Sequence, residues 1–174
     1  MKRIIAFVGM AGSGKSIATD IAVTLGYHRI HFGDLTMDEL QRRGLPVSEL
    51  NERKVREDLR KQHGMAAFAA LAIPKIEAVS GNVVIDGLYS WAEYELLKAE
   101  YPKMKVIAIY ASPKTRYGRL KTRAERPLKE KEAVARDKAE LEKLEKGAPI
   151  AMADITIINE GSKQQLEEAV RHVI

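Results

Sequence analysis

The sequence predicts an α/β fold, a three-layer α/β/α sandwich around a five-stranded parallel sheet. Three observations predict it. Short runs rich in β-branched residues alternate with longer helical patterns along the chain. The first such run, Ile4 to Val8, leads straight into a glycine-rich loop. No internal repeat, low-complexity tract or long linker breaks the alternation. A chain of 174 residues can bury one substantial core and is short for two. The expectation is therefore one domain over residues 1–174, with right-handed crossovers between strands.

Taken in order, Ile4 to Val8 is the first strand and residues 14–25 the helix after it. Residues 29–32 suit a second, weaker strand, and 34–43 a helix closed by Gly44-Leu45-Pro46. Ser48 is placed to cap a helix that ends near His63-Gly64. Residues 65–79 are apolar and alanine-rich, which predicts a buried helix that Pro74 kinks or breaks. Residues 82–86 are the clearest strand after the first, and 91–101 a short helix. Lys105 to Tyr110 is the next strand, and Ser112-Pro113 opens a helix with serine as cap and proline in the first turn. A break is expected around Arg126-Pro127, then a very polar helix over 129–146 and a turn at Gly147-Ala148-Pro149. Residues 154–158 form the last strand and 162–173 the closing helix. The segment 121–149 is the most charged and the least periodic in its apolar residues, which marks it as a candidate lid.

Composition narrows the class. The hydrophobic fraction is 45% and the charged fraction 30%, as in soluble globular proteins. No apolar run is long enough to span a membrane, so no membrane partner is expected. The first apolar stretch is too short for a signal peptide. There is no cysteine, which excludes disulfides and thiolate metal sites and leaves the cytoplasm as the default location. The net charge of +5 favours anionic partners without choosing among nucleic acid, phosphorylated metabolites and acidic surfaces. Bases and acids are interleaved in most segments, as in solvated helix faces, and only residues 114–126 are strongly one-signed.

Gly9-Met10-Ala11-Gly12-Ser13-Gly14-Lys15-Ser16 fits G-x-x-x-x-G-K-[ST] at every fixed position, with a strand before it and a helix after it. Successive backbone N–H groups in such a loop make an anion nest at the positive end of the helix. Gly9, Gly12, Ser13 and Gly14 supply that backbone. Lys15 is placed to reach the β- and γ-phosphates, and Ser16 to put its hydroxyl on Mg²⁺. The motif predicts a P-loop NTPase fold with ATP and Mg²⁺ as ligands.

Further candidates sit where strands of this topology end. Asp86 closes the third strand, at the edge of the sheet where ligands bind. There it holds Mg²⁺ through water, positions an acceptor, or caps the loop that Gly87 opens. Asp34 follows Gly33 after the second strand and suits a base or orienting group, or a helix N-cap. Arg116, Arg119, Arg123 and Arg126 recur at three- or four-residue spacing, so a helix through Arg123 puts the first three on one face. Such a face gathers guanidiniums on a triphosphate, or is a solvated basic helix; its place beside the candidate lid favours Arg119 and Arg123 as functional. Arg136 is a weaker candidate from the far side of that segment. Tyr89, Trp91 and Tyr94 read as packing or as an acceptor-pocket wall, and the four histidines lack metal-ligand spacing.

The loop 9–16, then Phe32-Gly33-Asp34, then Val84-Ile85-Asp86-Gly87, resemble the nucleoside monophosphate kinase layout. Residues 153–162 resemble the C-terminal strand and loop of dephospho-CoA kinases. Residues 111–120 and 136–141 resemble a mainly archaeal family related to dephospho-CoA kinase and adenylate kinase. The likeness covers nearly the whole chain and implies a P-loop NTPase fold of nucleotide-kinase type, with acceptor-binding helices over about 34–80. It implies that Asn159 to Gly161 lie against the adenine, that Arg119 and Arg123 face the phosphates, and that Asp34 and Asp86 face acceptor and metal. The chain departs from the dephospho-CoA kinase pattern by having one aspartate after the second strand, and from adenylate kinases by lacking an arginine soon after Gly33-Asp34.

The leading expectation is thus an ATP-dependent phosphotransferase acting on a nucleotide-like acceptor, such as a nucleoside monophosphate or dephospho-CoA. The alternative is a regulatory P-loop NTPase working with RNA or a protein partner, which the positive charge and polar 129–146 segment keep open. A GTPase switch is disfavoured, since the chain has no Asn-Lys-x-Asp motif.

Overall fold

A computed structural model describes residues 2–124 and 127–174. Its strands are β1 (Ile4–Val8), β2 (His28–His31), β3 (Val83–Asp86), β4 (Lys105–Tyr110) and β5 (Ile155–Ile158). Its helices are α1 (Lys15–Thr24), α2 (Phe32–Arg42), α3 (Glu49–His63), α4 (Ala67–Ala78), α5 (Trp91–Glu100), α6 (Pro113–Thr122), α7 (Glu130–Leu144), α8 (Gly147–Ala151) and α9 (Lys163–Val173). The sheet is parallel throughout, in the order β2-β3-β1-β4-β5. It has the α/β P-loop NTPase fold that the alternation and the loop predict.

Every residue of β1 is buried. Ile4, Ala6 and Val8 face a core shared with α2, α3, α4 and α5, whereas Ile5 and Phe7 face one shared with α1 and α9. A strand covered on both faces needs a continuous apolar run, and that is why β1 reads so clearly in the sequence. Because the strands are parallel, β1, β2 and β3 all end at one edge: Phe7 pairs with Asp86, and Asp86 with His31. That edge carries the loop 9–16, the start of α2 and the start of α5.

Helix ends follow local chemistry. Ser48, Ser90, Ser112 and Ser162 each accept a backbone N–H in the first turn of α3, α5, α6 and α9. Three expectations need correction. Phe32 is not strand: its buried ring packs beneath Gly87 and turns the chain into α2 two residues before Asp34. Pro74 does not break α4, which runs continuously past it. Residues 147–149 are not a turn but the start of α8, where Pro149 sits in a first turn that needs no amide from it.

Candidate active site

The loop Gly9–Ser16 joins the end of β1 to the start of α1. Helix α1 begins with no side-chain cap and no acid in its first turn. Its leading N–H groups are therefore left to a ligand, the arrangement that binds phosphate. Ser13 Oγ is buried here without a hydrogen-bond partner among the described residues. Lys15 Nζ donates to Met10 O at 3.0 Å, within the loop itself.

Two buried contacts brace the loop from outside. Asn159, just past β5, donates from Nδ2 to Ser13 O at 2.7 Å. It lies so close to Gly14, at φ 107°, that any Cβ there would strike it. Arg116 of α6 donates from Nη1 to Ala11 O at 3.0 Å and from Nε to Ala111 O at 3.1 Å. The same guanidinium makes a two-pronged pair with Asp137 of α7, at 2.9 and 2.6 Å, and Tyr117 adds a third bond to that carboxylate at 2.9 Å. Arg116 is thus a tie between α6, α7 and the loop, and its side chain is spent on that task. Arg119, one turn on, directs Nη2 to Asn159 Oδ1 and Gly161 O, both at 3.4 Å. Its Nη1 is buried with no hydrogen-bond partner among the described residues. Arg123 is the C-cap of α6, and Arg126 lies outside the described residues. Glu160 fastens the start of α6 by accepting from Ser112 N and the Thr115 hydroxyl.

Cations from α7 and the turn before α8 act electrostatically on Lys15. Glu140 accepts from Arg136 Nε at 2.9 Å and from Lys146 Nζ at 2.6 Å. Lys146 is buried, with its ammonium 4.5 Å from the centre of the Tyr89 ring. Burial, Lys146 and Arg136 together push the Lys15 ammonium down to about 7, against the opposing pull of Glu140 and Asp86. Burial also lowers Lys146, though Glu140 opposes it. Burial alone would raise Glu140, but Lys146 and Arg136 outweigh it and hold the carboxylate low.

Asp86 is buried at the end of β3 and pairs with Arg29 Nη2 from β2. Asp34 lies in the first turn of α2, its side chain 67% exposed, and bonds to His31 Nδ1 at 2.8 Å. It is not the N-cap, since the helix starts two residues earlier. Among the described residues no three His, Asp or Glu side chains gather into a metal cage. That suits Mg²⁺, which takes one or two protein oxygens beside phosphate oxygens and water. The exposed Ser16 and the edge carboxylate of Asp86 are donors of the right kind.

Sequence reasoning brought Lys15, Asp86, Arg119, Asn159 and Gly161 to one edge of the sheet, and the geometry leaves Asp34 at its exposed rim. It missed Arg29, Glu140 and Lys146. Lys146 had one available signal: it is the last base of a polar helical segment and directly precedes Gly147. Trp91 stacks on Tyr94 with ring centres 5.1 Å apart. It also lines an open cleft of about 350 Å³ with Leu141, Glu145, Gly147 and Ala148.

The family described as AAA domain matches residues 5–148. A UPF0200 protein from Thermococcus gammatolerans is 35% identical over 98% of this chain and 93% of its own. The crystal structure of TT1252 from Thermus thermophilus superposes with a TM-score of 0.70 at 18% identity, covering 99% of this chain and 96% of that one. Shikimate kinase from Aquifex aeolicus superposes with a TM-score of 0.63 at 20% identity, covering 97% and 94%. The fold is P-loop kinase-like.

Proposed function

We propose, from the premise that this chain belongs to the UPF0200 family and has a P-loop kinase-like fold, that it is a small-molecule kinase. It transfers the γ-phosphoryl group of ATP to a nucleotide-like acceptor, such as a nucleoside monophosphate or dephospho-CoA. The observation that carries this reading is that the field of Arg136 and Lys146 acts on Lys15 of the loop, with Lys146 itself buried against Tyr89 in the loop after β3. A loop that only held nucleotide would need the N-terminal amides of α1 and Lys15. Cations whose field reaches the same lysine from a separate helix are suited to the charge that spreads over a transferring phosphoryl group. The neighbouring shikimate kinase is likewise a small-molecule kinase by name.

In this reading residues 1–174 act as one domain. Segment 121–149 is a lid, and the helices over about 34–80 receive the acceptor. Gly9, Gly12, Ser13 and Gly14 present backbone to the phosphates. Lys15, with Arg119 and Arg123 at the lid hinge, holds negative charge as the β–γ bridging P–O bond breaks and the acceptor oxygen bonds to phosphorus. Asn159 and Gly161 border the adenine, and Asp34 orients the acceptor. Ser16 and Asp86 would hold Mg²⁺, which when bound neutralises the phosphate oxygens. Closure of the lid excludes water and so protects ATP from hydrolysis. No described helix is long and apolar enough to cross a membrane.

The test is an acceptor screen. The protein is incubated with Mg·ATP and nucleoside monophosphates, dephospho-CoA, shikimate and RNA, and products are identified by mass. A phosphorylated small molecule with matching ADP is expected. ATP hydrolysis stimulated by RNA, with no phosphorylated small molecule, would replace the kinase by a regulatory NTPase.

A further inference from the structure

Arg60 lies in the last turn of α3, where its guanidinium sits 5.2 Å from the centre of the Phe68 ring. Its Nε–H is buried and has no hydrogen-bond partner among the described residues. No described carboxylate pairs with it, whereas Arg29, Arg42, Arg43, Arg53 and Arg56 each have one. A half-buried guanidinium costs free energy unless an anion compensates it. Burial lowers it, and among its neighbours Glu93 and Glu57 favour the cation while Arg56 opposes it. Glu93 makes no direct ion pair with it among the described residues; its carboxylate accepts the N–H groups of Tyr89 and Ser90 at the start of α5.

The place matters as much as the charge. Ser90 Oγ reaches Met65 O at 3.4 Å, joining the α3–α4 connection to the loop after β3. Arg60 therefore belongs to the same sheet edge as Asp86 and Tyr89, on the side of the helices over about 34–80. The Phe68 ring beside it favours the cation, and the guanidinium is a fork of donors suited to two oxygens of one anion.

We infer that Arg60 is the anchor for an oxyanion on the phosphoryl acceptor, a phosphate monoester or a carboxylate. The inference rests on the kinase reading for the word acceptor, and the site itself can be tested without any transfer.

The experiment follows the Arg60 Nε–H resonance by NMR in the full chain, with the donor site filled by Mg²⁺ and a non-hydrolysable ATP analogue. Inorganic phosphate and malonate are titrated separately. A saturable shift of that resonance by either anion is expected, and the tighter of the two gives the acceptor's chemical class. Arg60→Met should weaken that anion's binding at least tenfold with the ATP analogue still bound, and Arg60→Lys should restore part of it. No shift with either anion, or unchanged anion binding in Arg60→Met, overturns the assignment. Failure of the kinase reading would look different: the anion would bind at Arg60, yet no acceptor in the screen would be phosphorylated.

Discussion

The two halves of the candidate site are held by different kinds of bond. On the donor side, Arg116 and Asp137 are 5% and 11% exposed and share two short hydrogen bonds, and Asn159 is buried against the loop. On the side of α2, Asp34 hydrogen-bonds to the His31 ring and Asp38 pairs with Lys75, and both carboxylates are more than half exposed. Exposed pairs contribute about 0–1 kcal/mol each, whereas breaking a buried one costs about 3–5 kcal/mol. The chain fixes the phosphate donor's site through its packing. At the start of α2 and along its outer face the polar contacts are exposed and can rearrange, although Arg43 holds α2 to α3 through the less exposed Glu39 and Asp58.

Lys15→Met breaks the donor side most severely. Transfer should fall on the order of 10²–10³-fold, the loss typical of removing one preorganised charge-stabilising group. The fold should survive and become more stable at low pH. Lys15 titrates at about 7 in the folded chain against 10.5 for a free lysine. Between these values the unfolded chain holds more protons, so stability rises with pH; below about 7 the burial penalty is present in full. The gain in Tm from Lys15→Met should therefore be larger at pH 6 than at pH 10. Equal gains at both, in parallel thermal melts, would mean that Lys15 is not held low.

Asp137→Ala comes next. It leaves Arg116 as an uncompensated buried charge and frees α7 from α6 and the loop. A stability loss of about 3–5 kcal/mol is expected in denaturant titrations. The double variant Arg116→Met, Asp137→Leu should recover most of it while ATP affinity stays low, because the tie to Ala11 O is gone. If Asp137→Ala melts within about 2 °C of the parent, the donor side is no better braced than the acceptor side.

How much of this was legible in the sequence follows the same division. The P-loop is a contiguous motif whose chemistry depends on local backbone, so eight residues suffice to read it. The strands β1 and β4 were bounded to the residue, since β1 is a continuous buried apolar run and β4 has a buried apolar centre closed by exposed Lys105 and Tyr110. The second strand was placed one residue late, because β2 is an edge strand with exposed and half-buried residues and no clean pattern. Arg29 was not read because its pairing with Asp86 spans 57 residues; Glu140 sits at helical spacing from Arg136 and was passed over as part of a solvated polar helix, and Lys146 reaches it only by the turn after α7. Arg116 was read only as part of a face that was either phosphate-binding or solvated, and its role as a buried brace to Ala11 O, Ala111 O and Asp137 was not foreseen.

Asp34→Asn is the smallest expected effect and the sharpest test of the acceptor side. The carboxylate is largely exposed and its one described partner is the His31 ring, so stability should change by less than about 0.5 kcal/mol. If Asp34 only orients an acceptor, transfer should fall less than about tenfold, with the KM for the acceptor moving more than kcat. If it removes a proton from an acceptor hydroxyl in the transition state, kcat should fall on the order of 10²–10⁴-fold and become pH-dependent. The exposure of the side chain, and an acceptor whose attacking group is a phosphate already ionised at neutral pH, both favour the smaller loss. A hundredfold loss in kcat would show that the loosely held side of the site carries chemistry after all, and that the bond to His31 positions a base on a rim that is rigid in the closed state.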